Sequence, residues 1–421
     1  MAKFAAGDFV RVSGRGFEYT GTVMPSQDEN ITILKLENGY NVGIVTKRIK
    51  KPHIIKRAKQ STPVLSKVKS KSGLPKITII TTGGTITSRV DYKTGATHSL
   101  TKPEELIANI PELTKLANIK IISPFSQWSE DLTPQDFQRI ADTAAVELNK
   151  GASGVIVTQG TDTLHFTSAA LSFMIKDLSK PIAVVGGQRS SDRGSFDGAQ
   201  NLICAVHYCL SHIAEVAIVM HANTDDDYCY ALRGTKVRKM HSSRRDAFRP
   251  INCLPLAKID PKKGVEILAK NYNKRTDKTV KADTQLEPKV VLIKFFPGLK
   301  PDIINYYIDK GYKGIILEGT GFGNIATDTW IPTLENASKH AIICMTTQTL
   351  YGTTNNHVYS AGVREEKAGV IHCNDTLPET AYMKLMHLLG TNKNLNEVRK
   401  QMTQNLVGEI NARIEKNSFL Y

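Results

Sequence analysis

The absences in this 421-residue sequence exclude more than its overall composition does. No apolar run approaches the roughly 20 residues that a membrane-spanning helix needs. The N-terminus, Met1-Ala2-Lys3-Phe4, carries no apolar leader. A soluble, cytoplasmic protein is therefore expected. The six cysteines, at 204, 209, 229, 253, 344 and 373, include no Cys-x-x-Cys pair. That spacing gives no support to a zinc site or a redox centre, so buried free thiols and no metal are expected. No Gly-x-x-x-x-Gly-Lys-[Ser/Thr] loop is present, so no ATP site is expected in this chain. Acidic residues also vanish between Lys47 and Lys71, where ten basic residues accumulate. The formal net charge is +15, and residues 1–75 alone, with 14 Lys/Arg against 5 Asp/Glu, supply +9 of it. A block of this kind attracts phosphates, although a charged linker can look the same.

Within those limits the chain divides by texture. Residues 1–57 hold short β-rich runs at 9–12, 19–23, 31–36 and 40–44, the last two joined by the hairpin signal Asn38-Gly39. They predict a small SH3-like β-barrel, too small for an ordinary active site. Residues 58–75 read as a basic linker rich in Lys, Ser, Thr and Pro. From Lys76 onward β-rich runs alternate with helical stretches, as in a doubly wound parallel α/β sheet. Strands are expected at 77–81, 119–122, 153–158, 182–186 and 215–220. Thr133-Pro134-Gln135-Asp136 and Thr101-Lys102-Pro103-Glu104-Glu105 carry helix-start chemistry. The polar stretch 259–288 separates a first α/β domain, 76–270, from a second, 289–421.

Two threonine motifs stand at expected strand ends. Thr82-Gly83-Gly84-Thr85 follows the run 77–80, and Gly160-Thr161-Asp162-Thr163 follows 154–157. Either could be a plain turn or a helix cap. Both at one sheet edge suggest a site that attacks a carbonyl, since ligands bind beyond the carboxyl ends of strands in open α/β sheets. A threonine hydroxyl is a weak nucleophile and needs a base or an amine nearby. Asp162 supplies a carboxylate beside Thr161. The segment 233–239 offers Lys236 or Lys239 as the amine, and the pattern alone does not choose between them.

Together these segments resemble the asparaginase/glutaminase family of threonine amidohydrolases. Thr82-Gly83-Gly84-Thr85-Ile86 is similar to its first signature and Gln159-Gly160-Thr161-Asp162-Thr163-Leu164 to its second. Ser129-Glu130-Asp131-Leu132-Thr133-Pro134, Val185-Gly186-Gly187-Gln188-Arg189-Ser190, Ser195-Phe196-Asp197-Gly198, and the stretches 239–248, 317–324 and 377–381 extend the likeness over about 76–400. The resemblance implies an asparaginase-like two-domain core and assigns roles. Thr85 would be the nucleophile. Thr161, Asp162 and Lys239 would form a second triad, with backbone N–H groups near Thr161 stabilising the oxyanion. Ser129, Glu130 and Gly160 would hold substrate. Tyr92, in the flap from Ser88 to His98, would assist Thr85. Asn324 matches a position contributed by a neighbouring subunit.

The basic module and the segments 233–249 and 363–371 are further similar to the branch formed by archaeal glutamyl-tRNA(Gln) amidotransferases. That likeness implies glutamine hydrolysis, with ammonia passed to a partner E subunit that uses ATP and Mg²⁺ to amidate Glu-tRNA(Gln). It also implies a homodimer of this chain within a heterotetramer. A free-standing L-asparaginase with an added N-terminal domain and a non-catalytic RNA-binding scaffold are the alternatives.

Overall fold

A computed structural model describes residues 4–421, apart from 6, 25, 27, 29, 37–40, 58–71, 85, 87, 91–96, 100–109, 111 and 191–195. The Asn38-Gly39 turn, the helix start at 101–105 and most of the basic linker therefore lie outside the described residues, as do Thr85 and Tyr92.

The N-terminal unit is a five-stranded antiparallel sheet. Its strands, Phe9–Gly14, Phe17–Met24, Ile31–Leu36, Asn41–Val45 and Lys51–Lys56, take the order fourth, third, second, first, fifth. Period-two alternation places Val10, Val12, Val23, Leu34 and Ile44 in one apolar cluster. The fifth strand has no apolar alternation to betray it. In Lys51-Pro52-His53-Ile54-Ile55-Lys56 only Ile54 is partly buried, and pairing with the first strand holds the segment in place.

The large central sheet contains eight strands. From one edge they are Gly264–Ile267, Ala257–Asp260, Cys229–Arg233, Val216–His221, Ile182–Val185, Gly154–Thr158, Lys76–Thr81 and Asn118–Ile122. The last five in that order are mutually parallel. Three antiparallel strands extend the other edge, so the expected parallel sheet is in fact mixed.

Alternate side chains of the parallel strands serve opposite faces. Ile77, Ile79 and Ile156 pack with helix Gly198–Cys209, whereas Ile80, Val155 and Val157 pack with helices Pro134–Asn149 and Leu164–Met174. Helix 134–149 starts as its sequence predicts, with the Thr133 backbone N–H donating to Asp136 Oδ2 at 2.9 Å in a capping box.

The C-terminal region adds a four-stranded parallel sheet, Val290–Lys294, Gly314–Gly319, Ile342–Thr347 and Ile371–His372, in sequence order. Its helix Pro378–Thr391 packs against helix 164–174, with Phe166 edge-on to Tyr382 at 6.2 Å. Helix 164–174 is buried almost all round, because it lies between the central sheet and that helix. Five cysteines are buried, Cys253 is partly buried, and all six are free thiols. No helix among the described residues is long and apolar enough to cross a membrane.

Candidate active site

The two threonine motifs meet where the parallel strand order reverses. Strands 76–81 and 154–158 are neighbours, with Thr81 beside Thr158. The strand following the first, 118–122, lies on its outer side, whereas the strand following the second, 182–185, lies on the opposite side. Connections leaving in opposite directions open a crevice at the carboxyl ends, the usual ligand position in such sheets.

Close nesting of three loops shapes this crevice. Gly84 has φ +85°, and a Cβ built on it would stand 2.2 Å from the Gly160 nitrogen. A Cβ on Gly160 would stand 2.9 Å from both Cβ and Oγ of Ser129. Glycine is therefore required at both positions for the turns to approach each other. Within the first motif, Thr82 is fully buried and its hydroxyl donates to the Thr158 carbonyl at 3.0 Å. That hydroxyl serves the turn.

The second motif meets a lysine from 78 residues away in sequence. Lys239 ends the short strand Val237–Lys239, which pairs with Phe248–Pro250. Its Nζ donates to Thr161 Oγ1 at 2.7 Å and to Asp162 Oδ1 at 2.7 Å. The Lys239 side chain is 9% exposed and that of Asp162 67% exposed, so the amine is sheltered while the carboxylate faces the crevice and solvent. The Thr161 hydroxyl donates in turn to Gln188 Oε1 at 3.4 Å. Lys236, the other candidate amine, is fully buried elsewhere and ion-paired to Asp375 at 2.6 Å.

Ser129 and Glu130 line the neighbouring loop. Ser129 is buried and donates to exposed Glu130 at 3.1 Å, while its carbonyl accepts from Thr163 Oγ1 at 2.7 Å. Gln159 is held by Thr163 and Thr167, at 3.2 and 2.7 Å. The Gln188 turn is fixed by Asp197, whose carboxylate accepts the backbone N–H groups of Gln188 and Arg189 at 3.0 Å. Burial raises the Asp197 pKa, and those N–H bonds together with nearby His221 oppose the rise.

Asn324 sits apart from this cluster. It closes a turn with Thr320, and among the described residues no hydrogen bond joins it to Thr161, Asp162 or Lys239. Within one chain the structure thus brings together Gly160, Thr161, Asp162, Lys239, Ser129 and Glu130, and leaves Asn324 outside.

Two neighbours escaped the sequence reading. His165 lies one helical turn after Asp162, in a recess of about 300 Å³ shared with Arg238 and Lys239. Burial first, then the charges of Arg238 and Lys239, push its pKa down to about 3, so the ring stays neutral at ordinary pH. Its i+3 spacing from Asp162 was the available signal. The other is Glu379, ion-paired to Arg238 from the C-terminal helix. A hydroxyl held between an amine and an amide oxygen, with a carboxylate on the same amine, is equipped to take and return protons.

Comparison with known proteins identifies the family. Residues 76–273 match the family model described as asparaginase, N-terminal, and 289–402 the glutaminase/asparaginase C-terminal domain. Residues 4–55 match the GatD N-terminal domain. The D subunit of glutamyl-tRNA(Gln) amidotransferase from Pyrococcus abyssi is 49% identical over 98% of this chain and 97% of that protein. Its counterpart from Pyrococcus horikoshii is also 49% identical, with the same coverage of 98% and 97%. Among solved structures, the thermostable L-asparaginase from Thermococcus kodakarensis superimposes with a TM-score of 0.72 and 29% identity, covering 80% of this chain and all of that one.

Proposed function

Because the chain belongs to the family of glutamyl-tRNA(Gln) amidotransferase D subunits, built on an asparaginase-type core, we propose that it is the glutaminase component of a tRNA-dependent amidotransferase. The observation that carries the reading is the Thr161–Lys239–Asp162 cluster at the strand-order reversal, beside the Thr82-Gly83-Gly84 turn.

In this reading the Thr85 hydroxyl attacks the side-chain amide carbon of glutamine. The C–N bond breaks, ammonia leaves with the proton returned to it, and a glutamyl ester remains on Thr85. Water then hydrolyses the ester to glutamate and restores the hydroxyl. Thr161, Lys239 and Asp162 hold and move the protons of these steps. Backbone N–H groups around Thr161 stabilise the oxyanion, a contribution typically worth about 3 kcal/mol. Ser129, Glu130 and Gly160 hold the α-carboxylate and α-amine of the substrate, and Tyr92 assists Thr85. Asn324 serves the site of a neighbouring copy in a homodimer.

The ammonia goes to a partner E subunit, which uses ATP and Mg²⁺ to amidate Glu-tRNA(Gln). The N-terminal sheet supports a role beyond free amino acids. Its last strand, the turn before it and the residue after it expose Lys47, Arg48, Lys50, Lys51, Lys56 and Arg57, with no acidic residue between 47 and 71. Hydrolysis of a free amino acid needs no such surface, which weighs against a free-standing asparaginase.

The experiment is to incubate the chain with glutamine, ATP and Glu-tRNA(Gln), with and without the partner subunit. Ammonia and Gln-tRNA(Gln) are measured for wild type and Thr85→Val. Ammonia formation dependent on Thr85, and Gln-tRNA(Gln) formation dependent on the partner, are expected. Undiminished glutaminase activity in Thr85→Val would overturn the catalytic assignment.

A further inference from the structure

Lys239 reaches Thr161 and Asp162 from a strand that has little support of its own. The ribbon formed by 237–239 and 248–250 has three residues a side, pairs Val237 with a proline, and is separate from the central sheet. A two-stranded ribbon of that size does not hold its shape alone.

Helix 164–174 and strand 229–233 pack on it, and further support comes from the C-terminal region. Successive side chains of an extended strand point to opposite faces. Arg238 therefore faces away from Lys239; it and Lys236, in the bend before the strand, meet acids in and just before the first turn of helix 378–391. Lys236 Nζ binds the Asp375 carboxylate at 2.6 Å and the Asp375 carbonyl at 2.7 Å. Arg238 Nη1 makes an ion contact with Glu379, whose side chain is 7% exposed, and neither Arg238 Nη1 nor the second Glu379 oxygen makes a hydrogen bond among the described residues. Thr380 Oγ1 donates to the Thr235 carbonyl at 3.1 Å. Consecutive cations are thus divided between two helix starts: Lys239 goes to Asp162, before helix 164–174, and Arg238 goes to Glu379, in the first turn of helix 378–391.

We propose that Glu379 is a positioning residue for Lys239: by holding Arg238 it fixes the ribbon so that Lys239 Nζ reaches Thr161 and Asp162. Glu379 then acts on catalysis without touching substrate. The Lys236–Asp375 pair carries the structural load of the contact, and the Arg238–Glu379 pair sets the last residue of the strand. This inference rests on the reading of Lys239 as part of the active site.

The test is a double-mutant cycle on the full chain assembled with its partner subunit. Glu379→Gln, Lys239→Ala and the double variant are compared in glutaminase kcat, KM and thermal midpoint, with Lys281→Ala on the exposed Lys281–Asp177 pair as control. Glu379→Gln is expected to lower kcat by about tenfold or more with KM within about twofold, and to add nothing in the Lys239→Ala background. Glu379→Asp, which keeps the charge, restores part of the rate. It also replaces Glu379→Gln in the cycle should that variant not fold. A Glu379→Gln kcat within about twofold of wild type, or a loss that multiplies fully with that of Lys239→Ala, overturns the proposal. A Lys239→Ala variant of full activity would instead refute the reading of the site itself.

Discussion

Two lysines three residues apart in one segment should respond in opposite ways to the same substitution. Lys236 is fully buried against Asp375, and Asn411 also binds that carboxylate, at 3.0 Å through its backbone and 2.8 Å through its side chain. Lys236→Met leaves a buried carboxylate without its cation, a change that typically costs about 3–5 kcal/mol. The two Asn411 bonds place the expected loss at the lower end of that range. Lys239 is different, because its partner Asp162 is two-thirds exposed and water can replace the amine. Its ion pair contributes about 0.2–1 kcal/mol to stability by analogy with other solvent-facing pairs. Its contribution to rate is the larger one, since a positioned proton-transfer group typically supplies about 10²–10⁴-fold. That range corresponds to about 3–6 kcal/mol of barrier at about 1.4 kcal/mol per decade. Urea unfolding and steady-state ammonia release, measured on both variants, separate the two effects. Lys236→Met should lose several times more stability than Lys239→Met, and Lys239→Met should lose far more kcat. Equal destabilisation of the two, or a Lys239→Met rate within about tenfold of wild type, would refute the reasoning. Lys236→Met/Asp375→Leu should recover stability relative to Lys236→Met, as apolar replacement of whole buried pairs often does.

Other outcomes follow from the same geometry. Gly160→Ala drives a methyl to 2.9 Å from Ser129, so KM for glutamine should rise, whereas an unchanged KM would mean that the Ser129 loop does not hold substrate. Phe173→Ala, in the helix beneath the site, removes a fully buried ring and should cost about 3–5 kcal/mol by calorimetry or urea titration. His165 and His387, held neutral by burial with pKa values near 3 and 4, make the folded state bind fewer protons than the unfolded chain. Their contribution is fully present above the ordinary histidine value of 6.5 and is lost as pH falls toward those values, so His165→Gln should flatten the stability–pH curve between about pH 6.5 and 3. Asp246, its pKa lowered first by Arg244, contributes at pH above its ordinary value and loses that contribution as pH falls below it, so Asp246→Asn should flatten the more acidic limb.

Much of the molecule was legible in order along the chain. The five parallel strands, the start of helix 134–149 and the two threonine turns rest on signals read within a few residues: β-rich runs, a capping box, and glycines after a strand. The fifth strand of the N-terminal sheet was not legible, because Lys51–Lys56 is nearly all exposed and hydrogen bonds to its neighbour hold it rather than an apolar face. The antiparallel edge of the central sheet was hidden for a related reason, since strand direction is decided by the connections between strands.

The sequence by itself determined that two threonine turns close two β-strands and that a carboxylate accompanies the second. Only tertiary structure decided that the Thr82 hydroxyl is taken up by the turn and that Lys239, not Lys236, meets the second motif. Thr82 is spent on the Thr158 carbonyl, while Lys236, in the bend before the strand, faces Asp375 and Lys239, at the strand's end, faces Thr161. The fold alone, by laying helix 378–391 along one face of the ribbon and Asp162 along the other, fixes which lysine goes where.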